Sequence, residues 1–136
     1  MVNVDLVMQR VTEINVKIDF NPEDEKTIEI GFNSPFRIQY ADDNKHCTAI
    51  LEQKAVSQKN PDQFSIYIKL EGFFDCDEIT DSEKKKEIHV QCYYRLFPYA
   101  QSLIAQICVT AGLPPLMIRS QSMSINDVVL PEDKTN

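Results

Sequence analysis

Residues 96–116 read LFPYAQSLIAQICVTAGLPPL, and this stretch decides the fold predicted for the chain. Its apolar residues recur at i, i+3, i+4 and i+7, the spacing of an amphipathic helix. Because Pro98 lacks the amide that an interior helical position donates, we expect the helix to begin near residues 94–96, with the proline in its first turn. Gly112 supplies a left-handed cap position and Pro114-Pro115 prevents continuation, so the helix should end there.

The predicted helix carries an unusually wide apolar surface. Its polar side offers little beyond Gln101, Ser102, Gln106 and Thr110. Such a helix is expected to pack on a sheet along one side and against a further apolar surface along the other. A second copy of the chain would supply that surface, so we expect at least a dimer.

Upstream of the helix, apolar and polar residues alternate in four segments, which predicts four β-strands with one buried face each. Pro35 cannot donate to a ladder, so it either places the second strand at an edge or breaks it. In the first strand the parity changes near Val7 and Val11, which predicts a bulge or a twist. The segments are residues 14–20, 28–40, 47–57 and 64–74.

The connections between these strands are short, and the first predicted turn lies at residues 21–24. Parallel crossovers need a dozen or more residues, so the sheet should be antiparallel. The predicted fold class is therefore α+β, a four-stranded antiparallel sheet followed by a long helix packed on it. We expect one domain over residues 1–136, with a core at about 7–118 and a C-terminal segment and tail at 119–136. Within residues 82–94, the part that alternates is compatible with either a helix or a strand. No secondary structure is predicted for residues 119–130.

The helix segment also carries a recognisable pair of motifs. Leu96, Phe97, Pro98 and Tyr99 form its start, and Gly112, Pro114 and Pro115 form its exit. These motifs resemble the SecB family of export chaperones, in which a Leu-Phe-Pro-aromatic start and a Gly-Pro exit bracket the helix that follows a four-stranded sheet. The resemblance covers residues 9–118. It implies an ATP-independent holdase that binds non-native or extended polypeptides in protein export, assembled as a homo-oligomer, either a dimer or a dimer of dimers.

The chain departs from the family's pattern at two positions of the fourth strand. When Gly72-Phe73-Phe74 is aligned with the family's Gly-hydrophobic-Phe motif, Ser65 and Tyr67 stand where members carry a leucine and a glutamate that dock the translocation ATPase. The acidic positions of the first strand are only partly met, by Asp19. These departures put docking to the export ATPase in doubt, whereas the expected fold and oligomer do not depend on them.

A surplus of aromatic residues predicts a binding groove. Consecutive residues of a strand point to opposite faces, so Phe73 and Phe74 cannot both face one core, and the same holds for Tyr93-Tyr94 if that segment is extended. One member of each pair is left for a groove or a subunit interface. Apolar side chains beside exposed edge backbone would bind extended polypeptide with little sequence preference. The candidate groove residues are Phe36, Phe64, Tyr67, Phe73, Phe74, Tyr93, Tyr94 and Phe97.

Charge and missing motifs exclude several other classes. A formal net charge of −7 argues against nucleic acid as a partner. The chain has no G-x-S-x-G, P-loop, H-E-x-x-H or G-x-G-x-x-G motif and only 3 glycines, so we expect neither an enzyme nor a cofactor. No apolar run approaches the roughly 20 residues that span a bilayer, and the first residues have no basic n-region. We therefore expect no membrane insertion and a cytoplasmic location.

The 4 cysteines contain no C-x-x-C pair, so a zinc site of the usual spacing is unsupported, and a cytoplasmic location disfavours disulfides. Cys92 and Cys108 have apolar neighbours and should be core residues. Cys76 lies between Asp75 and Asp77, whose charges disfavour its thiolate.

Two alternatives to a general holdase remain open. The first is a diverged SecB-like scaffold that binds one dedicated protein, such as an antitoxin or a small regulator. The second is a small-ligand or enzymatic module, whose sign would be a closed pocket into which at least two of three residues point: His46, His89 and Cys47.

Overall fold

A computed structural model describes residues 2–19 and 28–130 of the chain. The α+β class expected from the sequence is confirmed, and the strands all precede the long helix. The end of the predicted first strand at Phe20 and the predicted turn at 21–24 lie outside the described residues. The elements are β1 (Val4–Ile18), β2 (Ile30–Asn33), β3 (Phe36–Tyr40), β4 (His46–Ser57), β5 (Phe64–Cys76), α1 (Ser82–Thr110) and a short 3₁₀ helix (Ile125–Asp127).

The sheet is antiparallel throughout, in the order β1-β5-β4, with β2 and β3 both paired to the far edge of β4. It has five strands rather than four because Pro35 divides the second predicted strand into β2 and β3. Phe32 pairs with Ala55 and Phe36 with Leu51, so both pieces continue along one partner strand. The carbonyl of Pro35 still accepts a hydrogen bond from the amide of Glu52 at 2.9 Å. The edge position and the break predicted for this proline are therefore both present.

Strand β1 forms the opposite edge and is longer than predicted, with 15 residues. Its register against β5 shifts between Leu6 and Met8 and again between Val11 and Glu13. These irregularities confirm the bulge predicted from the change of parity in this strand.

The core lies between the sheet and α1. The even-numbered residues of β5, from Phe64 to Phe74, all face inward and are buried. Gly72 leaves room for core side chains from both the sheet and the helix, because a Cβ there would lie 2.8 Å from Cε2 of Phe74 and 3.1 Å from Cδ1 of Leu96. The helix contributes eight buried side chains to this core: Ile88, Cys92, Tyr93, Leu96, Phe97, Ala100, Ile104 and Cys108.

The helix begins at Ser82, so its predicted start at residues 94–96 is wrong. The side chain of Asp81 caps the true N-terminus by accepting a hydrogen bond from the amide of Lys84 at 2.8 Å. Pro98 lies in the helix interior, where it costs about 3 kcal/mol. Burying one large apolar side chain returns roughly 2 kcal/mol, so the buried stripe on both sides of the proline outweighs that cost. Residues 82–94, which the sequence left open, are helical.

The predicted end of the helix is correct. Gly112 adopts a φ of 84°, and its amide bonds the carbonyl of Val109 at 3.0 Å while the amide of Leu113 bonds that of Cys108 at 2.9 Å. This pair of bonds is a Schellman motif, which satisfies the last carbonyls of the helix. Within the described residues, no helix is both long enough and apolar enough to cross a membrane.

Candidate functional site

Aromatic rings from β3 and α1 meet at one side of the helix. The centroids of the Phe36 and Tyr93 rings lie 5.4 Å apart, and that of Phe36 lies 5.0 Å from that of His89, both edge to face. The Tyr93 ring also lies 5.3 Å from that of Tyr94 and 5.6 Å from that of Phe97. Helical spacing explains the assembly, because residues three or four apart in a helix share a face. We call these five residues the aromatic cluster.

The cluster has a buried base and an exposed edge. Tyr93 is 0% exposed and Phe97 is buried, whereas Tyr94 is 41% exposed. The expectation for the Tyr93-Tyr94 pair required an extended strand, which is absent because this segment is helical, but Tyr94 is nevertheless left at the surface. Consecutive residues of a helix point about 100° apart, so the separation arises in a helix and does not need an extended strand.

An extended segment of the chain runs back along α1 past the cluster. We call residues 117–123, which have no regular secondary structure, the strap. The amide of Gln121 donates to the hydroxyl of Tyr93 at 2.8 Å, and the amide of Met123 donates to the hydroxyl of Tyr94 at 2.8 Å. The Tyr94 hydroxyl in turn donates to the carbonyl of Gln121 at 3.1 Å. Two tyrosine hydroxyls of the cluster are thus hydrogen-bonded to the backbone of an extended segment.

A third helix side chain holds the other end of the strap. The side-chain amide of Gln101 donates to the carbonyl of Ile118 at 2.7 Å, and the Ile118 side chain is 3% exposed within the core. The sequence patterns do not single out Gln101. The role of a glutamine on the polar side of a helix cannot be predicted from the sequence until the chain beyond Gly112 is known to return along that helix.

An apolar hollow lies where the helix ends. It has a volume of about 250 Å³ and brings the exit motif next to Phe64. Like the aromatic cluster, the hollow presents apolar side chains. Its lining is Ile28, Ile30, Phe64, Cys108, Leu113, Pro114, Pro115 and Leu116.

The remaining groove candidates lie elsewhere. Phe74 is buried in the core, whereas Tyr67 and Phe73 are half-buried on the outer face of the sheet, away from the helix. The Tyr67 hydroxyl donates to Glu52 Oε1 at 2.5 Å, and this bond raises the pKa of Tyr67 to about 12. Phe73 lies under the guanidinium of Arg10, whose carbon is 5.4 Å from the ring centroid. The structure thus places Phe36, Tyr93, Tyr94 and Phe97 together and separates them from Tyr67 and Phe73.

His46 and Cys47 both border a hollow of about 450 Å³, but they do not act as a pair. The two ring nitrogens of His46 contact the carboxylates of Asp43 and Asp75, the latter at 3.1 Å. The hydrogen bond that the His46 ring donates to Asp43, followed by the attraction of the Asp43 charge, raises the pKa of His46. The sulfur of Cys47 points instead into the core, 4.0 Å from that of Cys92. His46 is a surface ion-pair partner, and Cys47 is a core residue.

The thiols are placed as the sequence predicts, with one correction of cause. All four cysteines are free, and Cys92 and Cys108 are buried. The pKa of Cys76 is raised to about 12, chiefly by burial, then by Cys47, and only to a lesser extent by Asp43 and Asp77. In residues 2–19 and 28–130, no group of three or more histidines, cysteines and acids is placed to hold a metal ion.

Comparison with known proteins identifies solved structures that are similar to this one and the family to which the chain belongs. The chain resembles the solved structure of the Mycobacterium tuberculosis SecB-like chaperone Rv1957 in complex with a ChAD peptide from the Rv1956 HigA1 antitoxin, with a TM-score of 0.67 and 15% identity over 88% of each chain. It also resembles a protein of unknown function from Streptococcus agalactiae, with a TM-score of 0.55 and 13% identity over 88% of this chain and 99% of that one. No curated protein sequence gives a significant match. The family model described as preprotein translocase subunit SecB matches residues 6–124, and the chain therefore belongs to the SecB family.

Proposed function

We propose that this chain is an ATP-independent holdase that binds non-native or extended polypeptides at the aromatic cluster and the hollow at the helix exit. One observation carries the proposal. In the aromatic cluster, the hydroxyl groups of Tyr93 and Tyr94 already accept hydrogen bonds from the backbone amides of an extended segment. Membership of a chaperone family supports it. The M. tuberculosis relative is seen with an antitoxin peptide, which supports the binding of a polypeptide segment by this chain.

The chemistry of such binding is that of recognition without catalysis. Apolar client side chains would leave water against the rings, at roughly 25 cal/mol per Å² buried. Hydroxyl and amide groups would satisfy the client's backbone whatever its sequence. The net charge of −7 keeps the holder soluble and favours basic client segments. No cofactor and no nucleotide enter this scheme.

The proposal includes a homo-oligomer in the cytoplasm, a dimer or a dimer of dimers, built from one SecB-like domain per chain. Ile14 on the inner face of β1 is 52% exposed, and Val11 and Val16 beside it are also exposed. Val109 adds an exposed apolar side chain near the end of the helix. Apolar surface distributed in this way favours burial against a second copy.

Coupling to the export ATPase is a weaker part of the proposal. Ser65 and Tyr67 replace the family's docking residues, and both side chains lie on the outer face of β5. The Tyr67 hydroxyl donates a hydrogen bond to Glu52. At this position the outer face therefore presents a hydrogen-bonded phenol in place of the family's glutamate. The second candidate function, a scaffold for one dedicated partner, is favoured by this departure and by the antitoxin peptide on the M. tuberculosis relative.

An aggregation assay distinguishes the two candidates. A chemically unfolded, unrelated client is diluted into increasing amounts of the protein without nucleotide, and light scattering of the protein alone gives its oligomeric state. Suppression that saturates near one client per oligomer supports the general holdase. A folded oligomer that suppresses nothing contradicts it and leaves the dedicated scaffold, which a pull-down of one stoichiometric partner would then support.

A further inference from the structure

We propose that the strap is an internal occupant of the client site, and that an extended client segment binds by exchanging with it. The inference rests on the proposed function and specifies where the client's backbone lies. In the free protein, residues 117–123 then take the place of a client along Tyr93, Tyr94 and Gln101.

The contacts that hold the strap are the first reason. The helix pairs the strap through its backbone, at the amides of Gln121 and Met123 and at the carbonyls of Ile118 and Gln121. Backbone amides and carbonyls are the same in every polypeptide. Any extended segment that reaches these helix side chains can therefore make the same hydrogen bonds, which is what a site with little sequence preference requires.

The side chains of the strap are the second reason. Ile118 is its one fully buried anchor and joins the core, whereas Met117 beside it is 61% exposed and Arg119, Ser120, Gln121 and Ser122 are also exposed. Met123, at the other end of the strap, is half-buried against the core, so two apolar side chains separated by exposed residues hold the strap, as anchor residues hold a bound peptide. A client with apolar residues at the two matching positions could fill the same places.

The third reason is how little regular structure fixes the strap. Residues 117–123 belong to neither the sheet nor a helix, so their amides are not part of a cooperative ladder. An incoming segment would replace the departing hydrogen bonds one for one and would cover the site again. Only molecules in which the strap has left the site can bind a client. The apparent affinity for a client is therefore the intrinsic affinity multiplied by the fraction of molecules in which the site is open.

The test loosens the strap without altering the site. Ile118→Ser removes the buried anchor, and Met117→Ser, next to it on the strap, removes an exposed side chain as the control. The probe is a fluorescein-labelled, unstructured peptide with one apolar stretch between lysines, titrated by anisotropy. We expect I118S to bind it about tenfold more tightly than the wild type and M117S to bind it as the wild type does, because only the first change raises the open fraction.

Hydrogen exchange gives a second measurement in case I118S folds poorly. In the wild-type protein the amides of Gln121 and Met123 should be protected, and they should lose that protection when the peptide saturates the site. Wild-type binding with no gain in I118S, or with these amides still protected in the complex, overturns the exchange and leaves the holdase in place. A wild type and an I118S variant that both fail to bind the peptide overturn the holdase and the exchange together.

Discussion

The ring of Phe36 on β3 meets the ring of Tyr93 on α1 edge to face, with centroids 5.4 Å apart and planes inclined at 78°. Tyr93 in turn bonds the strap through its hydroxyl, so one buried side chain joins the sheet, the helix and the C-terminal segment. Edge-to-face pairs contribute about 0.5–1.5 kcal/mol beyond the area they bury. The aromatic cluster thus connects the sheet, the helix and the C-terminal segment, and it is also the proposed client site.

The packing of Phe74 and Leu96 around Gly72 makes this position sensitive to substitution. A Cβ at this position would lie 2.8 Å from Phe74 Cε2 and 3.1 Å from Leu96 Cδ1, and both side chains are buried. Gly72→Ala should therefore lower the free energy of unfolding by about 1–3 kcal/mol, as overpacked core positions do. Urea denaturation followed by circular dichroism measures this change.

Gly31→Ala is the matched control on the other side of the sheet. The nearest atom to a Cβ there is Nε2 of Gln58 at 3.3 Å, at the end of an exposed, flexible side chain. That side chain can move away, so G31A should change the free energy of unfolding by less than about 0.5 kcal/mol. Equal effects of the two variants would mean that the helix does not lie as close to Gly72 as described.

The sequence predicted much of the fold because its strands and its helix end carry strong local signals. The period of two in β5 and the bulge in β1 follow from the alternation of apolar residues alone. Pro98 misled the prediction of the helix start, since a local rule places proline in the first turn. Tertiary burial decided otherwise: Ile88, Cys92 and Tyr93 pack on the sheet before the proline is reached.

The candidate site was less accessible to sequence reasoning. The pairing of Phe36 with Tyr93 joins residues far apart in the chain, and no local period reports such a contact. Alternation places Tyr67 and Phe73 on the face of β5 opposite the core, but it does not reveal which face of the sheet adjoins the aromatic residues of the helix. The strap gives no signal at all, since its hydrogen bonds use its own backbone.

The ion pair of His46 predicts a specific dependence of stability on pH. Contact with Asp43 raises the folded pKa of His46 above 6.5, so its contribution is full below about pH 6.5 and is lost as pH rises through the folded pKa. The amide of Lys45 and then His46 lower the pKa of Asp43 below 3.8, so that contribution is lost only as pH falls through the lower value. His46→Gln should therefore lose most stability, relative to the wild type, between about pH 4 and 6.5.

His89 provides the opposite sign in the same experiment. Burial lowers the pKa of His89 below 6.5, so its contribution is present above that pH and is lost as pH falls through the folded pKa. Urea denaturation at several pH values, with NMR titration of both imidazoles, measures the two effects. A His46 that titrates at or below 6.5 in the folded protein would contradict the ion pair.

The exposed apolar face of β1 predicts how the proposed oligomer can be disrupted. Ile14 pairs with Ile68 and so lies on the inner face, where it is 52% exposed. Ile14→Asp should shift the mass measured by light scattering from oligomer towards monomer, because a desolvated carboxylate costs several kcal/mol at an interface. Asn15→Asp is the control, since Asn15 pairs with Tyr67 on the outer face and should leave the mass unchanged. An oligomer that survives I14D but dissociates with N15D would place the interface on the outer face.

Peptide affinity in two phenylalanine variants tests the central claim most directly. Phe36 and Phe73 are both half-buried, but Phe36 belongs to the aromatic cluster and Phe73 lies under Arg10 on the opposite face of the sheet. With the labelled peptide as probe, Phe36→Ala should weaken binding at least tenfold, which corresponds to about 1.4 kcal/mol, and Phe73→Ala should bind as the wild type does. Binding that is lost in F73A and retained in F36A would contradict the account, because the polypeptide would then lie on the outer face of the sheet.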